Sequence, residues 1–254
     1  MKPLTPRPGL TEQVYQALLD EIADGRLAPG SHLVQETLAA ALGVSRQPIQ
    51  QALAMLKNEG LVLELGRRGL FVAPLDPAAM THHYEIRAAL DGLAARRAAE
   101  CAATDRGLAR EIEAEGRRCL AAGRAALAGG DIAAMVAADV AFHDFVYQAS
   151  ANPLIAETAA MHWRQMRRVM GEVLRHAEPP AAIWRQHAAI LSAIVKGDAV
   201  AAEAAAIEHV RSAARRLELA LAAKAPATLT AKAAAMPTAA KVRTRRTTSA
   251  MGES

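Results

Sequence analysis

One stretch of the chain decides the fold: Leu42-Gly43-Val44-Ser45-Arg46-Gln47-Pro48-Ile49-Gln50-Gln51-Ala52-Leu53. Gly43 predicts a tight turn between two helices, and Ser45 is suited to cap the second helix by accepting a bond from a free backbone N–H. Apolar side chains then recur at helical spacing and predict one buried stripe. This stripe comprises Ile49, Ala52, Leu53 and Leu56. Arg46 and the glutamines remain outward, and such side chains hydrogen-bond bidentately to guanine and adenine in the major groove. The pattern favours a DNA recognition helix over an ordinary surface helix.

The flanking sequence predicts a winged helix-turn-helix. The expected elements are a helix, a turn into an edge strand, a second helix and two hairpin strands, over residues 11–24, 27–33, 35–42, 61–65 and 70–73. The second helix is expected to point Leu38, Ala39 and Leu42 inward. Arg67 and Arg68 lie at the hairpin tip, where they suit a wing that contacts phosphates or the minor groove; a solvated turn is the alternative.

Residues 15–74 resemble the DNA-binding domain of the GntR family of bacterial transcription regulators. The matching elements are residues 27–33, Leu38-Ala39, Leu42-Gly43-Val44-Ser45-Arg46, Pro48, Ala52-Leu53, Glu59-Gly60-Leu61-Val62, Arg68-Gly69 and Phe71-Val72-Ala73. The candidate DNA-contacting residues are Ser45, Arg46, Gln47, Gln50, Gln51, Lys57, Arg67 and Arg68. The family commonly has arginine and glutamate at the positions of Gln50 and Gln51. Losing that arginine removes a contact worth ~1–3 kcal/mol of discrimination between bases. We therefore expect the operator to differ from the usual family site at the base that residue 50 contacts.

Composition and charge predict two domains and a tail. The 254 residues have a formal net charge of +4, with 52% hydrophobic and 3% aromatic residues. Six of the basic residues follow position 222, whereas residues 1–221 hold 24 basic and 25 acidic groups. DNA binding must therefore depend on local placement of charge. We expect a winged helix over 1–74, a helical effector-binding and dimerisation domain over 75–222, and a disordered basic tail over 223–254.

The remaining global features indicate a protein of the reducing cytoplasm. Cys101 and Cys119 follow no metal-binding or redox spacing and predict buried or partly buried free thiols. The N-terminus does not resemble a signal peptide, and the sequence has no apolar run of 18 residues. We therefore expect a soluble, cytoplasmic protein.

Beyond residue 75 the pattern is entirely helical. Asp76 is expected to cap a helix that starts at Pro77 and marks the domain boundary. Breaks at Thr104, Gly129-Gly130-Asp131, Asn152-Pro153, Pro179-Pro180 and Gly197-Asp198 divide the region into about six helices. These are expected over residues 77–102, 105–128, 132–149, 154–176, 181–196 and 199–222. The fold class is therefore mainly α.

Four side chains in this region have the spacing of a metal site. Asp139 and His143 are four residues apart and share one helix face. His187 and His209 flank Gly197-Asp198 at similar distances, so a helical hairpin there brings both imidazoles to the same level. Three imidazoles and a carboxylate suit zinc and are acceptable for nickel or manganese. Spacing alone leaves ordinary packed histidines as an alternative.

Residues 76–221 resemble the FCD domain, the helical effector domain of the FadR-type branch of the GntR family. The matching pieces are Ile86-Arg87, 90–99, Asp139, Phe142-His143, Ser150, Asn152, His187, Ile190, Ala193-Ile194, Gly197-Asp198, Ala204 and His209. The resemblance implies a divalent metal on Asp139, His143, His187 and His209. It also implies a small organic-acid effector, with Arg87 and Asn152 as candidate contacts. A mild departure is Asp91, where glutamate is usual.

Several other polar residues of this region receive weaker assignments. For Arg87, a surface or interhelix salt bridge is an equal alternative to an effector clamp. Arg164 and Arg168 share a helix face and are weaker effector candidates. The remaining histidines are expected on the surface: His82, His83, His162 and His176.

Together these features predict a homodimeric, ligand-responsive transcription regulator, a repressor rather than an activator, on a palindromic double-stranded operator. One alternative is a regulator that senses the metal ion itself. Another is a metal-dependent hydrolase fused to a DNA-binding module. The hydrolase is disfavoured because no separate carboxylate has a spacing that suggests a general base, and we expect no enzymatic activity.

Overall fold

The computed structural model describes residues 9–176 and 181–232, and it begins with a winged helix-turn-helix. Its elements are α1 (Leu10–Ala23), α2 (Gln35–Leu42), α3 (Arg46–Asn58), β1 (Val62–Glu64) and β2 (Leu70–Val72). The strands pair antiparallel, with Val62 opposite Val72, and a short 3₁₀ turn over Gly66–Arg68 joins them. The predicted edge strand is reduced to a single bridge between His32 and Phe71.

The apolar stripe of α3 forms the centre of the winged-helix core. Ile49, Ala52, Leu53 and Leu56 are all at most 1% exposed, as the sequence predicts. Full burial of such a leucine or isoleucine stabilises the fold by roughly 1.5–3 kcal/mol. Gly43 has the positive φ of 65° that the turn requires.

Two local predictions about this domain were wrong. Leu42 is 38% exposed rather than buried, because it is the last residue of α2 and the chain turns away at Gly43. Ser45 does occupy the N-cap position of α3, but its side chain makes no capping hydrogen bond. The hydroxyl is therefore exposed at the start of the helix and is not engaged by the backbone.

The second half contains six helices within the described residues, as predicted. They are α4 (Pro77–Thr104), α5 (Arg106–Gly129), α6 (Ile132–Ala149), α7 (Pro153–His176), α8 (Ala181–Val195) and α9 (Ala199–Lys232). Asp76 caps α4 by accepting a 3.0 Å hydrogen bond from the backbone N–H of Ala78. The expected break at Pro179-Pro180 and residues 233–254 of the expected tail lie outside the described residues. Between residues 223 and 232 the structure continues α9.

Three glycines allow close approach between helices of this domain. A Cβ at Gly123 of α5 would lie 2.0 Å from Cη2 of Trp184, and one at Gly116 would lie 2.3 Å from Cδ1 of Leu191. A Cβ at Gly92 of α4 would lie 2.7 Å from Cγ1 of Ile207 of α9. Since α8 and α9 contain His187 and His209, these contacts set the positions of the helices that contain the candidate ligands.

The two halves meet along α7, which packs against α1. None of the helices in the described part of the chain has the length and apolar character needed to cross a membrane.

Candidate metal centre and DNA-contacting surface

All eight candidate DNA-contacting side chains are exposed. Arg46, Gln50 and Lys57 line one side of a groove of about 530 Å³ between α2, α3 and the wing. Arg67 and Arg68 lie in the 3₁₀ turn at the wing tip, as the hairpin pattern predicts. The surface therefore presents a polar helix face beside a basic tip, which is the arrangement that enters a major groove and contacts the neighbouring backbone.

Three of these side chains already have partners within the protein. Arg46 Nη2 lies 2.6 Å from an Oε1 atom of Glu36, and Lys57 is hydrogen-bonded to Glu64. Gln51 accepts a 2.7 Å hydrogen bond from the Thr11 hydroxyl of α1. All these pairs are exposed, so exchanging them for contacts to DNA has a small energetic cost.

The four candidate metal ligands lie together inside the helical domain. One ligand atom from each of Asp139, His143, His187 and His209 falls within a common span of 4.8 Å, and all four residues are buried. The first two share one face of α6, four residues apart. The other two come from α8 and α9, which turn at Gly197 with a positive φ of 72°. The hairpin expected from the sequence therefore brings the imidazoles together.

Hydrogen bonds outside the cluster orient two of the imidazoles. His143 Nδ1 lies 3.0 Å from Asp91 Oδ2, and His209 Nδ1 lies 3.0 Å from Gln186 Oε1. In each ring the other nitrogen, Nε2, is left for the cluster. A carboxylate or amide on the remote nitrogen fixes the tautomer and raises the basicity of the ligating one.

The charge balance of the cluster suits a bound cation. Burial lowers the pKa of His187 and of His209 far below the usual value, and neighbouring positive charge lowers it further. These rings are therefore neutral, and each has a nitrogen lone pair that can bind a cation. Burial raises the pKa of Asp139. His143 Nε2 and His187 Nδ1 are buried without a hydrogen-bond partner among the described residues. A divalent ion coordinated by Asp139 and the three imidazoles would stabilise the carboxylate and give His143 Nε2 a partner, so the residues fit the group.

A small cavity adjoins the cluster. Its volume is about 40 Å³. It is lined by Tyr84, Arg87, Asp139, Met170, Ile183, His209, Ala213 and Arg216. This space holds about three waters, since one water needs roughly 10–15 Å³. We therefore expect a larger ligand to displace part of the cavity wall, which includes Met170 of α7.

Arg87 lies in this wall, only 2% exposed. Its Nε is 3.2 Å from Asp91 Oδ2, and its guanidinium carbon is 3.9 Å from the centroid of the Trp163 ring. Burial opposes its charge, but the carboxylates Asp91 and Asp139 and nearby tyrosines keep the pKa of Arg87 above its usual value. Arg87 is therefore a buried cation with an ion pair inside its own helix, so the surface or interhelix salt bridge was wrong, and its effector contact stays a prediction.

Asp91 links the metal ligands to Arg87. Burial alone would raise the pKa of this carboxyl, but Arg87, His143 and Tyr147 lower it to about 2. Tyr147 donates a hydrogen bond to Asp91 and accepts one of 3.1 Å from Trp163 Nε1. In the sequence, Asp91 stands out only as a departure from a family pattern. Its spacing of four from Arg87 was the available signal for the pair.

The other candidate effector contacts are not among the residues that line this cavity. Asn152 is not among the residues that line the cavity, and its side chain accepts a 3.2 Å hydrogen bond from Leu154 N–H at the start of α7. Its effector contact stays a prediction. Arg164 and Arg168 are also absent from the cavity wall, because they bond to Glu59 and to Ala73 O of the winged helix.

The remaining histidines were only partly assigned correctly. His82 is exposed, as expected, and the side chain of His176 lies outside the described residues. His83 and His162 are half-buried, with their Nδ1 atoms 2.9 Å apart. Assigning these two to the surface was wrong, because helical periodicity on α4 and α7 does not reveal that the helices pack together.

A winged helix with an exposed polar recognition helix, joined to a helical domain with a buried ligand cluster, defines a class of modular DNA-binding regulators. Two family profiles match the sequence: "Bacterial regulatory proteins, gntR family" over residues 10–72 and "FCD domain" over residues 82–212.

Curated relatives and solved structures agree with these matches. The HTH-type transcriptional repressor RspR of Escherichia coli K12 is 28% identical, over 82% of this chain and 89% of its own. A probable D-xylose utilization operon transcriptional repressor of Paenarthrobacter nicotinovorans is 29% identical, over 80% and 87%. The structure titled E. coli McbR/YncC has the same fold, with a TM-score of 0.72 at 22% identity, over 83% of this chain and 98% of that one.

The chain belongs to the GntR family of bacterial transcription regulators, with an FCD domain as its second half. It is therefore a DNA-binding transcription regulator, and GntR-family members bind DNA operators and usually act as dimers.

Proposed function

We propose that the protein is a homodimeric repressor whose helical domain binds one divalent metal ion, zinc in the first place, and a small organic acid. Two relatives of similar length are named as repressors, which supports repression rather than activation. A symmetric dimer would place two recognition helices on a palindromic operator. The expected domains, 1–74 and 75–222, supply DNA binding and sensing respectively.

The converging ligand atoms are the observation on which the metal assignment depends. Asp139, His143, His187 and His209 come from three helices yet offer atoms within 4.8 Å of one another, all buried. A bound divalent ion supplies Lewis-acid coordination for an anionic ligand. The protein supplies a water-poor surrounding and, through Asp91 and Gln186, fixed imidazole orientations.

The cavity beside the cluster supports an acidic effector. Arg87 is a buried, charged guanidinium in its wall, and its Nη2 has no hydrogen-bond partner among the described residues. A carboxylate would satisfy this donor. Since the cavity measures only about 40 Å³, binding of anything larger than a few waters shifts surrounding helices. A ligand that prefers the shifted arrangement changes operator affinity.

Elemental analysis of purified full-length protein tests the metal site. Wild type should hold one zinc per chain, and His187→Ala should hold none. His82→Ala serves as the matched control because this histidine is exposed on α4 and lies outside the cluster, so it should retain the full amount. Full zinc content in His187→Ala would refute the site.

Operator release separates the proposal from its alternatives. The operator is first selected from a random DNA pool with the full chain, and bound complex is then titrated with zinc alone and with zinc plus small carboxylates and sugar acids. Release by an acid only in the zinc-loaded state supports the proposal. Release by zinc alone supports a metal sensor, and turnover of an acid by the zinc-loaded protein would support the hydrolase.

A further inference from the structure

Helix α7 contacts both functional parts of the molecule within one short segment, residues 163–168. Trp163 lies inside the helical domain, 7% exposed, with its ring centroid 5.2 Å from that of the candidate ligand His143. The next residue, Arg164, is hydrogen-bonded to Glu59 of the winged helix. Adjacent positions of one rigid helix therefore contact the metal cluster and the DNA-binding domain.

The winged-helix partner, Glu59, is the C-cap residue of the recognition helix. Its carboxylate accepts bonds from Arg164 and from the Tyr15 hydroxyl, and Arg164 also donates to that hydroxyl at 2.9 Å. Its backbone carbonyl accepts a 2.8 Å bond from Gln165 Nε2. The end of α3 is thus held by α7 through side chain and backbone at once.

Two further bonds extend this contact to both sides of α3. Arg168 of α7 donates to the carbonyl of Ala73, directly after the wing strand β2. Arg167 Nη1 lies 3.2 Å from Asp20 Oδ1 of α1. Arg168 is 8% exposed, and burial lowers the pKa of its guanidinium to about 10, so it stays charged at neutral pH. A shift of α7 therefore acts together on α1, on the end of α3 and on the segment that follows β2.

On the other face, Trp163 is held by groups that the metal and effector would engage. Its ring is stacked by Arg87 at 3.9 Å, its Nε1 donates to Tyr147, and Tyr147 donates to Asp91, the partner of both Arg87 and His143. A carboxylate that draws Arg87 toward the cavity weakens the cation–π contact on Trp163. Met170, two turns further along α7, lines the same cavity.

We propose that Trp163 and Arg164 are positioning residues that couple the metal cluster to the recognition helix, through Glu59. This coupling rests on the proposed metal site, because occupancy of that site is what changes the position of Trp163. The contact from Arg164 to Glu59 does not itself depend on any ion. Occupancy of the cluster changes the position of Trp163, and the C-terminal end of α3 moves with it. Arg164 thus has a regulatory role instead of the effector contact first considered.

The test compares hydrogen exchange and DNA affinity in full-length wild type, Trp163→Phe, Arg164→Met and the control Arg117→Met. Arg117 is an exposed arginine of α5 that pairs with Glu113 of its own helix, so its removal leaves the domain contact intact. Exchange is followed at the end of α3, residues 56–61, with and without zinc. Affinity is measured on the selected operator duplex under the same conditions, with zinc content determined for each variant.

We expect zinc to raise the operator affinity of wild type and control by about fivefold or more, and to raise it less than twofold in Arg164→Met with full zinc content. Without zinc, hydrogen exchange at residues 56–61 should be faster in Trp163→Phe than in wild type. The reason is that the substitution removes a hydrogen bond that holds residue 163 inside the helical domain. Unchanged exchange there, or a full zinc response in Arg164→Met, would overturn the coupling. If wild type binds zinc without any effect on affinity or exchange, the coupling fails while the metal site stands. If wild type binds no zinc, the metal site fails while the exchange result for Trp163→Phe still decides the coupling.

Discussion

Replacing Gly123 by alanine tests whether close helix packing positions the candidate metal ligands. The new Cβ would lie 2.0 Å from Cη2 of Trp184 and 2.2 Å from its Cζ3. Carbon atoms in contact are normally about 3.5–4.0 Å apart, so the indole must move by roughly 1.5 Å. Trp184 is only 4% exposed, and its ring centroid lies 4.9 Å from that of His187. The displacement therefore acts directly on a candidate metal ligand.

The energy of this change has two opposing parts. Overpacking a filled interior costs about 1–3 kcal/mol, while replacing glycine inside a helix gains roughly 1 kcal/mol. Gly129→Ala in the same helix is a matched control, because a Cβ there meets nothing within 4 Å and no positive φ is involved. We expect Gly123→Ala to be about 1–3 kcal/mol less stable than Gly129→Ala, since the difference reports mainly the overpacking.

Urea unfolding of zinc-free protein, followed by tryptophan fluorescence, measures this difference. The chain has two tryptophans, Trp163 and Trp184, and both lie in the helical domain, so the signal reports that domain alone. Zinc affinity of Gly123→Ala should fall as well, while that of Gly129→Ala should not. Equal stability and equal zinc affinity in the two variants would show that Trp184 moves freely and that α5 does not position His187.

Three further predictions concern the metal centre, the half-buried histidine pair and the wing. Asp91→Asn should lower zinc affinity by about 10–100-fold in equilibrium titration, because the carboxylate on His143 Nδ1 is lost; an unchanged affinity would contradict its orienting role. Burial and the neighbouring His162 and His82 lower the pKa of His83 from 6.5, so stability from this pair is present above pH 6.5 and is lost as pH falls through the lowered value. Wild type should therefore lose more unfolding free energy between pH 7 and 5 than His83→Gln, and equal losses in both would refute this. Removing both wing arginines (R67A/R68A) should weaken binding to all duplexes similarly and reduce the slope of log affinity against log salt concentration by about 2. Weaker binding to only some DNA sequences would instead indicate that these arginines contact bases.

Local sequence patterns were sufficient for most of the elements and for the meeting of four candidate ligands in one place. The stripe from Ile49 to Leu56 and the spacing of His187 and His209 about Gly197 are short-range signals, and the structure agrees with both. The six helix starts followed from caps and breaks such as Asp76, because these act within a few residues.

Contacts between helices distant in the chain could not be obtained in this way. Helical periodicity shows that Trp163 faces a core, but it does not show that Arg87 stacks on its ring. It likewise cannot show that Arg164 meets Glu59, 105 residues earlier in the chain. The pairing of His83 with His162 depends on the angle at which α4 crosses α7, which local spacing does not encode.

The ion pairs of Arg46 with Glu36 and of Lys57 with Glu64 have a consequence for how the protein finds its operator. In the free protein these acids compete with phosphate for the same cations, and residues 1–74 hold seven basic and seven acidic groups in all. Attraction to arbitrary duplex depends on released counterions and hence on unpaired positive charge. We expect brief residence on random DNA and rapid exchange between sites. Only a sequence whose base edges offer Arg46 better acceptors than its own glutamate would retain the protein.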